Sequence, residues 1–116
     1  MSLQLKSKIW LEKEGNKVFG DGPCDILIRI ERLGSLRQAS QEIKMSYSQA
    51  WHLVKLLEQS LGFPLLNRKT GGSKGGYSSL TPEGARFVKT YYTFRQEAQQ
   101  CLEKLFKKHF EQILNS

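Results

Sequence analysis

Two groups of residues in the 116-residue chain are of types that could do chemistry. The first is the run Arg68–Gly84, RKTGGSKGGYSSLTPEG, in which four glycines flank Lys74 while Arg68 and Lys69 stand just upstream. Glycines let a backbone approach a phosphate closely, and the cations supply the opposite charge. The phosphate belongs either to a nucleotide in an enzyme or to a nucleic-acid backbone. A nucleotide-binding loop takes the form GxxxxGK[ST] between a strand and a helix. Here Lys74 precedes Gly75 and Gly76, and the YSSL that follows reads as a strand. The run therefore reads as a hairpin tip whose cations meet phosphates or a minor groove, with a merely flexible tip as the other reading.

The second group is Ser46, Tyr47, Ser48, Trp51, His52 and Lys55. At about 100° per residue, Ala50, Val54, Leu57 and Leu61 fall on one helical stripe, with Leu53 at its edge. Ser48, Trp51, His52 and Lys55 fall opposite, joined at the N-terminal end by Ser46 and Tyr47, and this face has no acid. Hydroxyl, imidazole and ammonium groups on one face suit base edges and phosphates when a helix lies in a major groove. An ordinary solvated face has the same composition. Trp51 is the exception, because an exposed indole needs something over it. DNA and packing under an N-terminal hairpin both answer that need.

Little else offers chemistry. Cys24 and Cys101 show no metal-ligand spacing, and His52 and His109 are the only histidines. No nucleophile–base pair or metal set emerges, so an enzyme is not expected. Both cysteines read as small apolar residues, reduced in a cytoplasmic chain. No apolar run approaches the ~20 residues of a membrane span. The formal net charge is +7 and the pI about 9.6, which favours a polyanionic partner. Residues 35–81 hold six basic against two acidic residues, making the middle third the place for an anion.

The elements that must position these groups follow from caps and periodicity. Alternation through Leu5, Ser7, Ile9 and Leu11, then the turn EGNK, predicts a β-hairpin over residues 1–20 with a second strand near Lys17–Gly20. Asp21 and Pro23 open a helix closed by Gly34, with Ile26, Leu27, Ile30 and Leu33 inward. Ser35-x-x-Gln38 opens a short helix through Ile43, with Leu36, Ala39 and Ile43 inward, and Ser46-x-x-Gln49 opens another to Leu61, closed by Gly62. Two capped helices this close form a helix-turn-helix. FPLLNRKT and YSSL pair as strands around the glycine loop. Thr81 and Pro82 then start a helix that nothing breaks before Leu114, roughly 50 Å long.

That order, and the motifs GSLRQAS, LEQSLG, PLLNR and LTPEG, resemble the winged helix-turn-helix of LysR-type regulators. MSYSQAW and TGGSKGG are similar more specifically to the molybdate-responsive regulators of the ModE type. The resemblance covers residues 34–84 most strongly and essentially the whole chain as a DNA-binding half. It implies a mainly α fold with small β: an N-terminal hairpin (1–20), a helix-turn-helix and wing (21–80), and a long dimerisation helix (81–116). It places Ser46, Tyr47, Ser48, Trp51, His52 and Lys55 on the recognition helix, Ser35 and Arg37 at the backbone-contacting start of the preceding helix, and Arg68, Lys69 and Lys74 in the wing. Those regulators continue into molybdate-binding domains. This chain ends at Ser116, so no cofactor is expected of it, molybdate being implied by the resemblance alone.

On the long helix, Phe87, Tyr91, Phe94, Ala98, Leu102 and Leu105 make an apolar stripe, extended by Phe106, Phe110 and Ile113. So much apolar surface beyond the domain predicts a homodimer, with a helix folded back on its own core or an anionic membrane surface as the other readings. The expected partners are double-stranded DNA and a second copy, with no membrane.

Overall fold

The computed structural model describes residues 3–69 and 77–114, in the order ββααα ββα. Strands β1 (Trp10–Lys13) and β2 (Asn16–Gly20) pair antiparallel, with a bulge between Leu11 and Glu12. The link between them is two residues, Glu14 at φ 53° and Gly15 at φ 82°, the left-handed pair that matches the twist of a tight hairpin. The first strand is shorter than the alternation predicts. Ser7 and Ile9 meet the last helix instead of a second strand: their carbonyls accept from Arg95 Nη2 and the Tyr91 hydroxyl, both at 3.0 Å. The alternation itself holds there, with Leu5, Ser7, Ile9 and Leu11 half-buried and Lys6, Lys8, Trp10 and Glu12 exposed.

Helix α1 (Asp21–Leu33) starts directly from β2 and ends at Gly34, whose φ of 71° is a left-handed cap. Helix α2 (Leu36–Glu42) is capped by Ser35 Oγ, which accepts from Gln38 N at 3.0 Å. Arg29 and Arg32 of α1 both reach Glu42 Oε1 at 2.7 Å, bracing α1 to α2. The hydrogen bond from Arg29 is the main cause holding the Glu42 carboxyl below its ordinary range. The turn into α3 (Tyr47–Leu61) passes through Lys44 at φ 58°, with Met45 N donating to Ser40 O at 2.9 Å. Ser46 and Gln49 make the full capping box, and Gly62 closes α3 in the left-handed region at φ 87°.

Strands β3 (Leu66–Lys69) and β4 (Tyr77–Leu80) pair antiparallel in the register Leu66↔Leu80 to Lys69↔Tyr77. Thr81 then joins three elements. Its N–H donates to Leu65 O at 2.9 Å, its hydroxyl donates to Pro64 O at 2.7 Å, and the same oxygen caps α4 (Pro82–Leu114) by accepting from Gly84 N at 2.9 Å. Gly84 is required by contact rather than by φ: a Cβ there would stand 2.6 Å from Leu65 O. One core results, formed by Phe19, Ile26, Leu27, Ile30, Leu36, Ala39, Ala50, Val54, Leu57, Leu65, Val88 and Tyr91. Helix α4 continues far past it, and the longest dimension of the molecule is 65 Å.

Candidate nucleic-acid interface

The core stripe of α3 is where periodicity puts it: Ala50, Val54 and Leu57 are buried, Leu53 and Leu61 half-buried. Opposite it, Ser46, Tyr47, Ser48, His52 and Lys55 are exposed. The capping box uses the Ser46 hydroxyl, which accepts from Gln49 N at 3.1 Å. Arg37, from the first turn of α2, lays its guanidinium over the Tyr47 ring at 4.4 Å, so the starts of α2 and α3 present one continuous polar edge. Ser35, the cap of α2, lies half-buried beside it. His52 Nδ1 stands 2.8 Å from the Ser48 carbonyl oxygen one turn back.

Trp51 is half-buried and packs against the core. Its ring meets His52 edge-on at 5.2 Å, and Lys55 Nζ stands over it at 5.5 Å. Packing within the chain therefore covers part of the indole, while one side stays on the face with His52, Lys55, Leu56 and Gln59, which line a shallow groove with it.

In β3, Arg68 and Lys69 pair with Ser78 and Tyr77. Lys74 and the glycines around it fall outside the described residues. What fixes the wing to α3 is Glu58, a residue the sequence reading left out. Its Oε2 accepts from Leu65 N at 2.7 Å and Leu66 N at 3.2 Å, and its Oε1 is 3.7 Å from Lys55 Nζ. Glu31 does the same from α1, accepting from Leu80 N at 2.9 Å. The signal for Glu58 was its place three residues after Lys55, but an acid on a helix reads as solvated until the strand N–H groups are located.

The stripe on α4 divides in two. Phe87 and Tyr91 pack on their own chain's core: Phe19 meets them edge-on with ring centroids 4.8 and 5.1 Å away, Tyr91 is only 4% exposed, and Phe87 is half-buried. The Tyr91 hydroxyl lies 2.6 Å from Asp21 Oδ1, and Arg95 Nε bonds the same carboxylate at 3.2 Å. Burial, reinforced by Asp21, pushes that phenol well above its ordinary range. Farther along, Phe94, Leu105, Phe110 and Ile113 are exposed, and Ala98, Leu102 and Phe106 half-buried.

Burial, then Asp21 and Asp25, raises the Cys24 thiol to about 11, so it stays protonated near neutrality. Among the described residues no group of three His, Cys, Asp or Glu could hold a metal, and no helix is long and apolar enough to cross a membrane.

Residues 24–85 match the family described as bacterial regulatory helix-turn-helix protein, lysR family. The molybdenum transport protein ModE of Azotobacter vinelandii is 30% identical over 99 residues, covering 85% of this chain and 37% of that protein. The transcriptional regulator ModE of Haemophilus influenzae is 36% identical over 66 residues, covering 57% and 26%. The chain thus spans about a third or less of the length of these two relatives. Among solved structures, the CbnR DNA-binding domain in its DNA complex shares the fold, with a TM-score of 0.54 at 20% identity over 70% of this chain and 87% of that one. The match covers more than half of the chain and includes α2, α3, both wing strands and the Thr81–Gly84 junction: this chain belongs to the LysR family of bacterial regulatory helix-turn-helix proteins.

Proposed function

We propose that the chain is a sequence-specific DNA-binding transcriptional regulator that works as a homodimer, with α3 in the major groove and the basic wing on the flanking backbone. The observation that carries this reading is the outer face of α3. Apart from Leu56 it is polar and basic, stands directly opposite the core stripe, and is extended by Arg37 stacked on Tyr47. That a matched relative is named a transcriptional regulator, and that a fold neighbour was solved on DNA, support the same reading.

His52 and Lys55 are assigned to the operator, and Arg68, Lys69 and Lys74 to phosphates or the minor groove. Exposed Phe94, Leu105, Phe110 and Ile113 are assigned to the second copy, which sets two recognition helices one DNA turn apart, ~34 Å. No cofactor is assigned to these 116 residues.

The test is selection from a random duplex library at physiological salt, with and without molybdate. An inverted repeat, enriched equally in both, is the expected result. A bound but unenriched pool makes the chain an architectural binder, held by phosphates with steep salt dependence. His52→Ala and Lys55→Ala should weaken cognate binding more than random-duplex binding, and Lys74→Ala should weaken both alike. Equal losses at both sites for all three would refute these roles.

A further inference from the structure

His52 is held in one tautomer by a contact within its own helix. Its Nδ1 lies 2.8 Å from the Ser48 carbonyl oxygen, and a carbonyl only accepts, so Nδ1 carries the hydrogen. The Ser48 hydroxyl, at 3.5 Å, is too distant to compete. In the neutral imidazole the other nitrogen, Nε2, is then an acceptor without a hydrogen. Trp51, edge-on to the ring at 5.2 Å, flanks it. Of the six side chains on this face, Ser46, Tyr47 and Ser48 can donate or accept, and Trp51 and Lys55 only donate. With its Nδ1 hydrogen given to Ser48, His52 alone among the six has only an acceptor, Nε2, left to offer.

The major groove distinguishes between these behaviours. Guanine N7 and O6 and thymine O4 are acceptors, and the only base-edge donors are the amino groups of adenine N6 and cytosine N4. A lone pair set against a second lone pair leaves both without a partner, which costs more than a missing contact.

We infer that His52 Nε2, held as an acceptor by the Ser48 carbonyl, reads the exocyclic amino group of one adenine or cytosine in each half-site. This rests on the DNA-binding reading above and adds to it the class of base edge that His52 selects.

The test uses the duplex enriched by selection, resynthesised with N6-methyladenine or N4-methylcytosine at one position at a time. The methyl group replaces the amino hydrogen that points into the major groove and leaves the base pair formed. At one position per half-site, the wild-type chain should lose about tenfold in affinity, the effect of one hydrogen bond. The His52→Ala chain, weaker on the unmodified duplex, should lose nothing further at that position. Indifference of the wild type at every position overturns the inference, as do equal losses for both chains at every sensitive position. A library that enriches no duplex sinks the sequence-specific DNA reading itself, before any methylated base is made.

Discussion

Helices α3 and α4 solve opposite problems. Helix α3 is 15 residues long, capped at both ends, and buries Ala50, Val54 and Leu57 in its own core with Leu53 and Leu61 half-buried, leaving a face outside that is polar and basic apart from Leu56. Helix α4 is 33 residues long and packs side chains on that core only in its first three turns, through Phe87, Val88 and Tyr91. Beyond them its exposed surface includes Phe94, Leu105, Phe110 and Ile113. An outward face of hydroxyls, imidazole and ammonium suits a hydrated polyanion, and an outward aromatic and aliphatic stripe suits another protein surface. Within one small domain the two helices thus divide the proposed work, one for recognition and one for association.

The largest expected effect lies on α4. Phe94→Asp with Leu105→Asp should leave the circular dichroism spectrum of a folded chain but turn a dimer into a monomer in sedimentation equilibrium. Affinity for the enriched duplex should fall at least about a hundredfold, because linked half-sites lose their avidity. Where α4 meets the core, the effect is on stability. Phe19→Ala removes the fully buried ring that Phe87 and Tyr91 pack on, and should cost about 3–5 kcal/mol in denaturant unfolding. Phe110→Ala, at concentrations where the chain is monomeric, should stay within about 0.5 kcal/mol.

The junction between the two regions gives a smaller effect. Gly84→Ala drives a Cβ toward Leu65 O, so α4 must shift from the segment that leads into β3 at a cost of about 1–3 kcal/mol. The smallest change sharpens the α3 side. Lys44 holds a left-handed φ of 58° in the turn before α3, and Lys44→Gly should stabilise the chain by about 0.5–1 kcal/mol in the same assay.

Local chemistry made much of this legible in the sequence. The Ser46–Gln49 box, the glycines at 34 and 62, and Thr81 with Pro82 mark helix ends through the residues that make them. The α3 stripe follows from periodicity alone. What stayed hidden depended on partners distant in sequence. Alternation through Leu5 to Leu11 reports a wet face and a dry one, but not that Arg95 and Tyr91, rather than a strand, would meet Ser7 and Ile9. The apolar stripe of α4 reports surface to be covered, but not that Phe19 covers Tyr91, and part of Phe87, from within. Glu58 and Glu31 gain their meaning only once the N–H groups of Leu65, Leu66 and Leu80 arrive beside them.

Hydroxyl-radical footprinting of the wild-type chain on its enriched duplex tests the division of work most directly. A dimer joined through α4 and reading through α3 predicts two protected windows centred one helical turn, ~34 Å, apart. A single window, or uniform protection along the duplex, would contradict it.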